Sequence, residues 1–221
     1  MIAVTRGRFI TFEGGEGAGK STQVRLLADR LAAAEVVITR EPGGSTGAEA
    51  IRELLVTGST DRWSGITETL LMYAARRDHI ERVIRPALER GAWVLCDRFA
   101  DSTRAYQGVA GDLPPAFVTG LEEVVVGANR PDLTLILDIP VAAGLERARA
   151  RRGTENADRF EAEGLEFHEK LRCAFLDIAA GEPERCVVVD ALKPEEEVAG
   201  AIWSAVERRL DPEDAPGASA P

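Results

Sequence analysis

Cysteine, histidine and lysine are all scarce in these 221 residues, and each scarcity narrows the reading. Three cysteines, Cys96, Cys173 and Cys186, are an odd number, widely spaced, with two in or beside apolar runs. They suit neither a disulfide frame nor a metal site and read as buried reduced thiols of a cytoplasmic protein. The two histidines, His79 and His168, fall on expected helices and read as surface or packing residues. No apolar run approaches the roughly 18 residues of a membrane helix, and there is no signal-peptide pattern or internal repeat. Nor is there an excess of positive charge. The net charge of −10 and pI near 4.9 argue against general nucleic-acid or anionic-membrane binding. Lysine occurs only at Lys20, Lys170 and Lys193; arginine carries nearly all other positive charge. That supply suits bidentate phosphate contacts, although genomic base composition produces the same bias.

What remains is an ordinary globular composition, 45% hydrophobic and 29% charged, with length for one domain or one with a small insertion. One stretch stands out. Gly14-Gly15-Glu16-Gly17-Ala18-Gly19-Lys20-Ser21, followed by Thr22, fits the phosphate-cradle pattern G-x-x-x-x-G-K-[ST]. A strand-like segment, Phe9–Phe12, precedes it, and Val24, Leu27, Ala28 and Leu31 follow at helical spacing. Glycines let backbone N–H groups turn inward as a nest for phosphate oxygens, and the helix start adds its positive end. Lys20 is expected at the β- and γ-phosphates of a nucleoside triphosphate, and the Ser21 hydroxyl on Mg²⁺.

Along the chain, strands are expected at 35–39, 92–96, 133–137 and 186–189. Helices are expected at 48–56, 67–89 (kinked or restarted at Pro86), 115–126, 141–150, 165–178 and 194–210. Residues 211–221, rich in Pro, Ala and acids, read as a disordered tail. Strands alternating with helices give an α/β fold: a five-stranded, mostly parallel sheet with helices on both faces, in one domain over 1–210. Glu13-Gly14, Arg40-Glu41-Pro42, Asp97-Arg98, Asp138 and Asp190 all lie at or just past strand carboxyl ends, where such sheets bind ligands. Any single one is more often a turn or cap residue; together they point to a site.

Three features narrow the chemistry. Asp97 is placed to hold water ligands of Mg²⁺, with Arg98 facing the same cleft. Arg147, Arg149, Arg151 and Arg152 run into Gly153 and polar residues, so that 147–160 reads as an arginine-bearing lid rather than only a solvated helix. Asn129-Arg-Pro-Asp132 does not supply the N-K-x-D of GTP switches and precedes a strand instead of ending one. An acceptor that is itself a phosphate needs little help from a base; the difficulty is pushing two polyanions together, which calls for arginines from several directions. The residues point to phosphoryl transfer between two nucleotides.

The segments Phe12–Thr22, Thr39-Arg-Glu-Pro-Gly-Gly44, Tyr73-Ala-Ala-Arg76, Cys96–Thr103 with Ala105-Tyr-Gln-Gly108, Pro131–Leu135 and Asp158-Arg-Phe-Glu161 together resemble those of the bacterial thymidylate kinases, P-loop nucleoside monophosphate kinases, over roughly 8–210. The resemblance implies transfer from ATP to dTMP with Mg²⁺, in a cytoplasmic homodimer packed through helices. It implies Arg98 on the dTMP phosphate, Glu16 near the sugar 3′-hydroxyl, Arg76 on the thymine ring, and Thr103 and Gln107 on its polar edge. Tyr106 would crowd the 2′ position, and Pro42 and Ser102 fall in the same matched segments. The cradle has Gly17-Ala18 where some relatives carry an arginine, a pattern that goes with lid arginines, here Arg149, Arg151 and Arg152. Met72 stands where many relatives stack an aromatic on thymine, and a thioether also packs on a ring face. Two rivals stay open: a kinase for another pyrimidine nucleotide or a deoxynucleoside, and a non-catalytic P-loop ATP regulator.

Overall fold

Alternate side chains of the central strand β1 (Phe9–Glu13) point to opposite faces of a sheet, and that split organises the packing. The computed structural model describes residues 6–31, 34–59, 61–152, 160 and 163–210. β3 (Trp93–Asp97) and β4 (Leu133–Asp138) flank β1, while β2 (Val36–Arg40) and β5 (Cys186–Asp190) form the edges, in the order β2-β3-β1-β4-β5. Every pairing is parallel, so the sheet is wholly rather than mostly parallel. Phe12 lies opposite Asp97 and Glu13 opposite Ile136, which brings the carboxyl ends of the three inner strands level.

On one face, Ile10, Phe12, Leu95 and Leu135 pack against Val24 and Leu27 of α1 (Lys20–Arg30) and Ile202 and Val206 of α9 (Glu195–Leu210). On the other, Phe9, Val94 and Cys96 meet Ile80, Ile84 and Phe99, while Ile136 meets Leu171, Phe175 and Ile178 of α8 (Leu165–Gly181). Helices therefore cover both faces, as expected. Phe9 and Phe12 have no exposed surface. Truncating either to alanine would cost about 3–5 kcal/mol through lost burial and an unfilled cavity.

Two helices depart from regular form beside the strand ends. The expected helix 67–89 is α3 (Gly65–His79), a π-helical turn at Ile80–Ile84, then α4 (Arg85–Glu89). Pro86 has no N–H to give the preceding turn, so the ladder is disturbed there. The segment after Asp97, for which the sequence suggested no element, is α5 (Ala100–Thr103) running into a π-helical stretch, Arg104–Ala110. α2 (Thr46–Val56), α6 (Pro115–Val125) and α7 (Val141–Arg152) complete the helices among the described residues. The expected tail at 211–221 and the middle of the lid, 153–159, lie outside those residues.

Cys96 and Cys186 are buried, as expected, and all three cysteines are free. Cys173 corrects the expectation: it is exposed, because the buried stripe of α8 runs through His168, Leu171, Phe175 and Ile178 and leaves position 173 outward. Among the described residues no helix is long and apolar enough to cross a membrane.

Candidate active site

β1 ends at Glu13, and the chain wraps through Gly14–Gly19 into α1, whose first residue is Lys20. Gly19 caps that helix in the left-handed conformation. The first N–H groups of a helix have no partner within it, and here they open onto the loop. Gly17, at φ 68°, has no room for a side chain, since a Cβ would collide with the Gly144 carbonyl at the root of α7. Lys20 Nζ donates to the Gly14 and Gly15 carbonyls at 3.1 and 2.8 Å. Burial, then the neighbouring Arg98, pushes its pKa down to about 8. The Ser21 hydroxyl donates to the Asp97 carboxylate at the end of β3.

Arg98 follows in the left-handed region at φ 69°, an uncommon place for a side-chain-bearing residue, and its N–H is held by the Phe12 carbonyl at 2.9 Å. This turn sends its guanidinium back across the cradle. Nη1 donates to Gly14 O at 3.0 Å and Ser102 Oγ at 3.3 Å; Nη2 donates to Glu16 Oε1 at 2.6 Å. The Tyr106 hydroxyl donates to the same Glu16 oxygen, and the guanidinium lies over the Tyr106 ring. Burial would raise the Glu16 carboxyl, but Arg98, Lys20 and the Tyr106 hydroxyl outweigh it and hold it down at about 2. Below this layer, Glu13 accepts from Phe99 N and from the amide and hydroxyl of Ser102. Burial, with Asp101 nearby, raises its pKa to about 7.

The far wall belongs to Arg76 of α3, only 2% exposed. Its Nε donates to Glu41 Oε2 at 2.7 Å, and Nη2 donates to Phe99 O at 2.9 Å and Thr103 Oγ1 at 3.0 Å. Nη1 is buried with no partner. Gln107 is held from behind by Glu68 at 2.7 Å.

A cleft of about 360 Å³ joins these groups. It is lined by the cradle from Glu16 to Thr22 and, from other segments, by Pro42, Met72, Arg76, Asp97, Arg98, Ser102, Thr103, Tyr106 and Gln107. Of the arginines expected to sit in a lid, Arg151 reaches this cleft; Arg149 and Arg152 border a separate hollow with Glu163 and Leu165. Arg147 donates to the Ala191 carbonyl. Gly14 and Gly15 face a small cavity on the other side of the loop, beside Asp138 and His168. Three strand-end acids stay out of the cleft: Glu13 lies beneath the cradle, Asp138 is paired with Arg172, and Asp190 accepts from the Leu192 amide.

Arg40, singled out in the sequence only as one of the strand-end residues, lines the cleft too, as do Arg25, Arg52, Val56, Phe99 and Phe160, to which sequence reasoning gave no site role. Phe160 meets the Tyr106 ring edge-on at 5.5 Å. Its place in Asp158-Arg-Phe-Glu161 was the available signal; Arg52, which donates to the Pro42 carbonyl, had none. Both histidines prove to be buried.

The family model described as thymidylate kinase matches residues 12–202. A thymidylate kinase of Caulobacter vibrioides is 65% identical over 209 residues, covering 94% of this chain and 99% of that protein. One from Rhodopseudomonas palustris is 58% identical over 211 residues, with 94% and 92% covered. Among solved structures, the thymidylate kinase of Ehrlichia chaffeensis superposes with a TM-score of 0.74 at 32% identity, over 91% of this chain and 99% of that one. The five-stranded α/β architecture is thus that of a P-loop kinase structure.

Proposed function

The chain belongs to the thymidylate kinase family, enzymes that phosphorylate dTMP with ATP, and we propose that the cleft described above performs that transfer with the residues now assigned. The supporting observation is that Lys20, Arg98 and Arg76 line one cleft, although they come from three chain-distant segments. ATP lies with its phosphates on the backbone of Gly14–Gly19 and on Lys20, Ser21 and Thr22. The dTMP phosphate lies on Arg98 beside Ser102, its sugar between Glu16 and Tyr106, and its base against Met72, Pro42 and Arg76 with Thr103 and Gln107. A dTMP phosphate oxygen bonds to the γ-phosphorus of ATP as the bond to the β–γ bridging oxygen breaks, and that electron pair leaves on ADP. Because the acceptor is already anionic, the residues act by alignment and by spreading negative charge rather than by removing a proton.

Ser21 and Asp97 would hold Mg²⁺. Their hydroxyl and carboxylate oxygens are in hydrogen-bond contact, and hard oxygen donors suit that ion. Among the described residues no three His, Cys, Asp or Glu side chains gather as a metal centre. That fits an ion completed by phosphate oxygens and water. When bound, Mg²⁺ neutralises phosphate charge.

Residues 1–210 act as one kinase domain in which 147–160 is the lid; Arg151, which lines the cleft, supplies charge to the transferring group, and Arg149 and Arg152 are set back at the neighbouring hollow. The protein works in the cytoplasm as a homodimer. The direct test is Arg98→Ala, assayed with dTMP, dUMP, CMP and thymidine as acceptors. The unaltered enzyme should prefer dTMP. The variant should lose on the order of 10³-fold in turnover while ATP affinity changes little; equal, modest losses in both would remove Arg98 from the acceptor site.

A further inference from the structure

Behind the acceptor side of the cleft runs a chain of polar side chains that the transfer itself does not use. Thr39 Oγ1 lies 2.7 Å from His79 Nε2, and His79 Nδ1 lies 2.9 Å from Glu41 Oε1. The other carboxylate oxygen, Glu41 Oε2, accepts from Arg76 Nε at 2.7 Å. His79 has no exposed surface, Arg76 has 2% and Glu41 6%. Thr39 ends the apolar part of β2, Glu41 follows that strand, and Arg76 and His79 sit three residues apart on one face of α3.

The chemistry of the acid fixes one direction. A carboxylate only accepts, so the proton between His79 and Glu41 is on Nδ1. Nε2 faces the Thr39 hydroxyl, which can give or take a hydrogen there, so both ring nitrogens have a partner. Space is as tight as the bonding. Gly44, at φ 89°, closes over the pair, and a Cβ there would collide with both His79 Nε2 and Thr39 Oγ1.

A carboxylate held by one oxygen can still turn about its last bond; held by both, it keeps one plane. With Glu41 fixed, Arg76 is anchored at Nε by the acid and at Nη2 by Phe99 O and Thr103 Oγ1. A planar guanidinium anchored on two sides has no freedom left, and its third nitrogen, the buried and unpartnered Nη1, is aimed by its neighbours. We propose that His79 is a positioning residue for acceptor recognition. It locks Glu41, which orients Arg76, and Thr39 locks His79 in turn. This rests on the reading above that Arg76 meets the acceptor base, whose ring carbonyl is the hydrogen-bond acceptor that Nη1 lacks.

The test measures KM for dTMP and for ATP separately in His79→Ala, His79→Asn, Thr39→Val and Arg76→Ala. His79→Ala should raise KM for dTMP about tenfold and leave KM for ATP within about twofold, as expected for loss of one charge-assisted hydrogen bond. His79→Asn, whose amide N–H stands where Nδ1–H stood, should recover most of the loss. Thr39→Val, nearly the same shape, should raise KM for dTMP by about two- to threefold. If His79→Ala weakened both substrates alike, or if Asn rescued no better than Ala, the histidine would be packing only and the proposal overturned. Should His79→Ala not fold, the KM split in Thr39→Val decides, and an unchanged value overturns it. Arg76→Ala separates the two readings. An unchanged KM for dTMP there would remove the base contact itself, whereas a raised one beside an unaffected His79→Ala would remove only the relay.

Discussion

Beneath the cradle, the Glu13 carboxyl is enclosed by the Phe99 amide and Ser102, and burial with Asp101 raises its pKa from 4.5 to about 7. Between those values the folded chain keeps a proton that the unfolded chain has released. Stability therefore falls as pH rises through that window, by up to about 1.4 kcal/mol per pH unit, and levels off above it. Glu13→Gln removes the titration while keeping an acceptor for Phe99 N and a donor for Ser102. Its urea-unfolding free energy should be flatter than that of the unaltered protein from about pH 5 to about pH 8. Parallel profiles would show that some other group carries the slope. At this scale the sequence was informative where chemistry is local: Gly14–Ser21 and Asp97-Arg98 are contiguous patterns attached to strand ends. It was silent where partners are remote. His79 and Glu41 are 38 residues apart, Arg76 and Thr103 27, and no spacing rule links such pairs before the sheet is assembled.

Helix geometry sorts the arginines of α7. Arg149 and Arg152 are three apart and share a face that borders the hollow beside Glu163, while Arg151 points into the cleft. Arg151→Ala should therefore lower kcat by on the order of 10²–10³, and Arg149→Ala by far less. Steady-state rates at saturating ATP and dTMP would decide; equal losses would mean that both faces serve the reaction. Most elements were visible in the sequence because each carries an apolar rhythm, as in Val24–Leu31 or Leu133–Leu137. The segment 100–110 was not, since it buries Asp101, Thr103 and Gln107 in among Ala100, Ala105 and Tyr106, which interrupts the apolar stripe. Polar residues buried for function erase the pattern that would have announced their helix. Pro86 did mark the break in the long helix, though the widened turn precedes it at Ile80–Ile84.

Across the molecule, parallel pairing brings the strand carboxyl ends to one edge, so a chain of net charge −10 still gathers Lys20, Arg76, Arg98 and Arg151 at one cleft. Away from it, α2, α3 and α6 leave Leu54, Ile66, Leu70 and Val124 at 40, 52, 48 and 77% exposure, apolar area of the kind a second copy covers. If the proposed homodimer packs through this face, Leu70→Lys should shift the sedimentation-velocity boundary to that of a monomer; an unchanged boundary would place the interface elsewhere. One contact in the site joins these scales. At Gly17 and Gly144 the backbone of the nucleotide loop presses on the root of the arginine helix. Such a contact is a fulcrum: a swing of α7 either pivots on it or drags the loop along. In the proposed lid, opening over the nucleotide would then be geared to the grip beneath it by the lack of two methyl groups rather than by any charge.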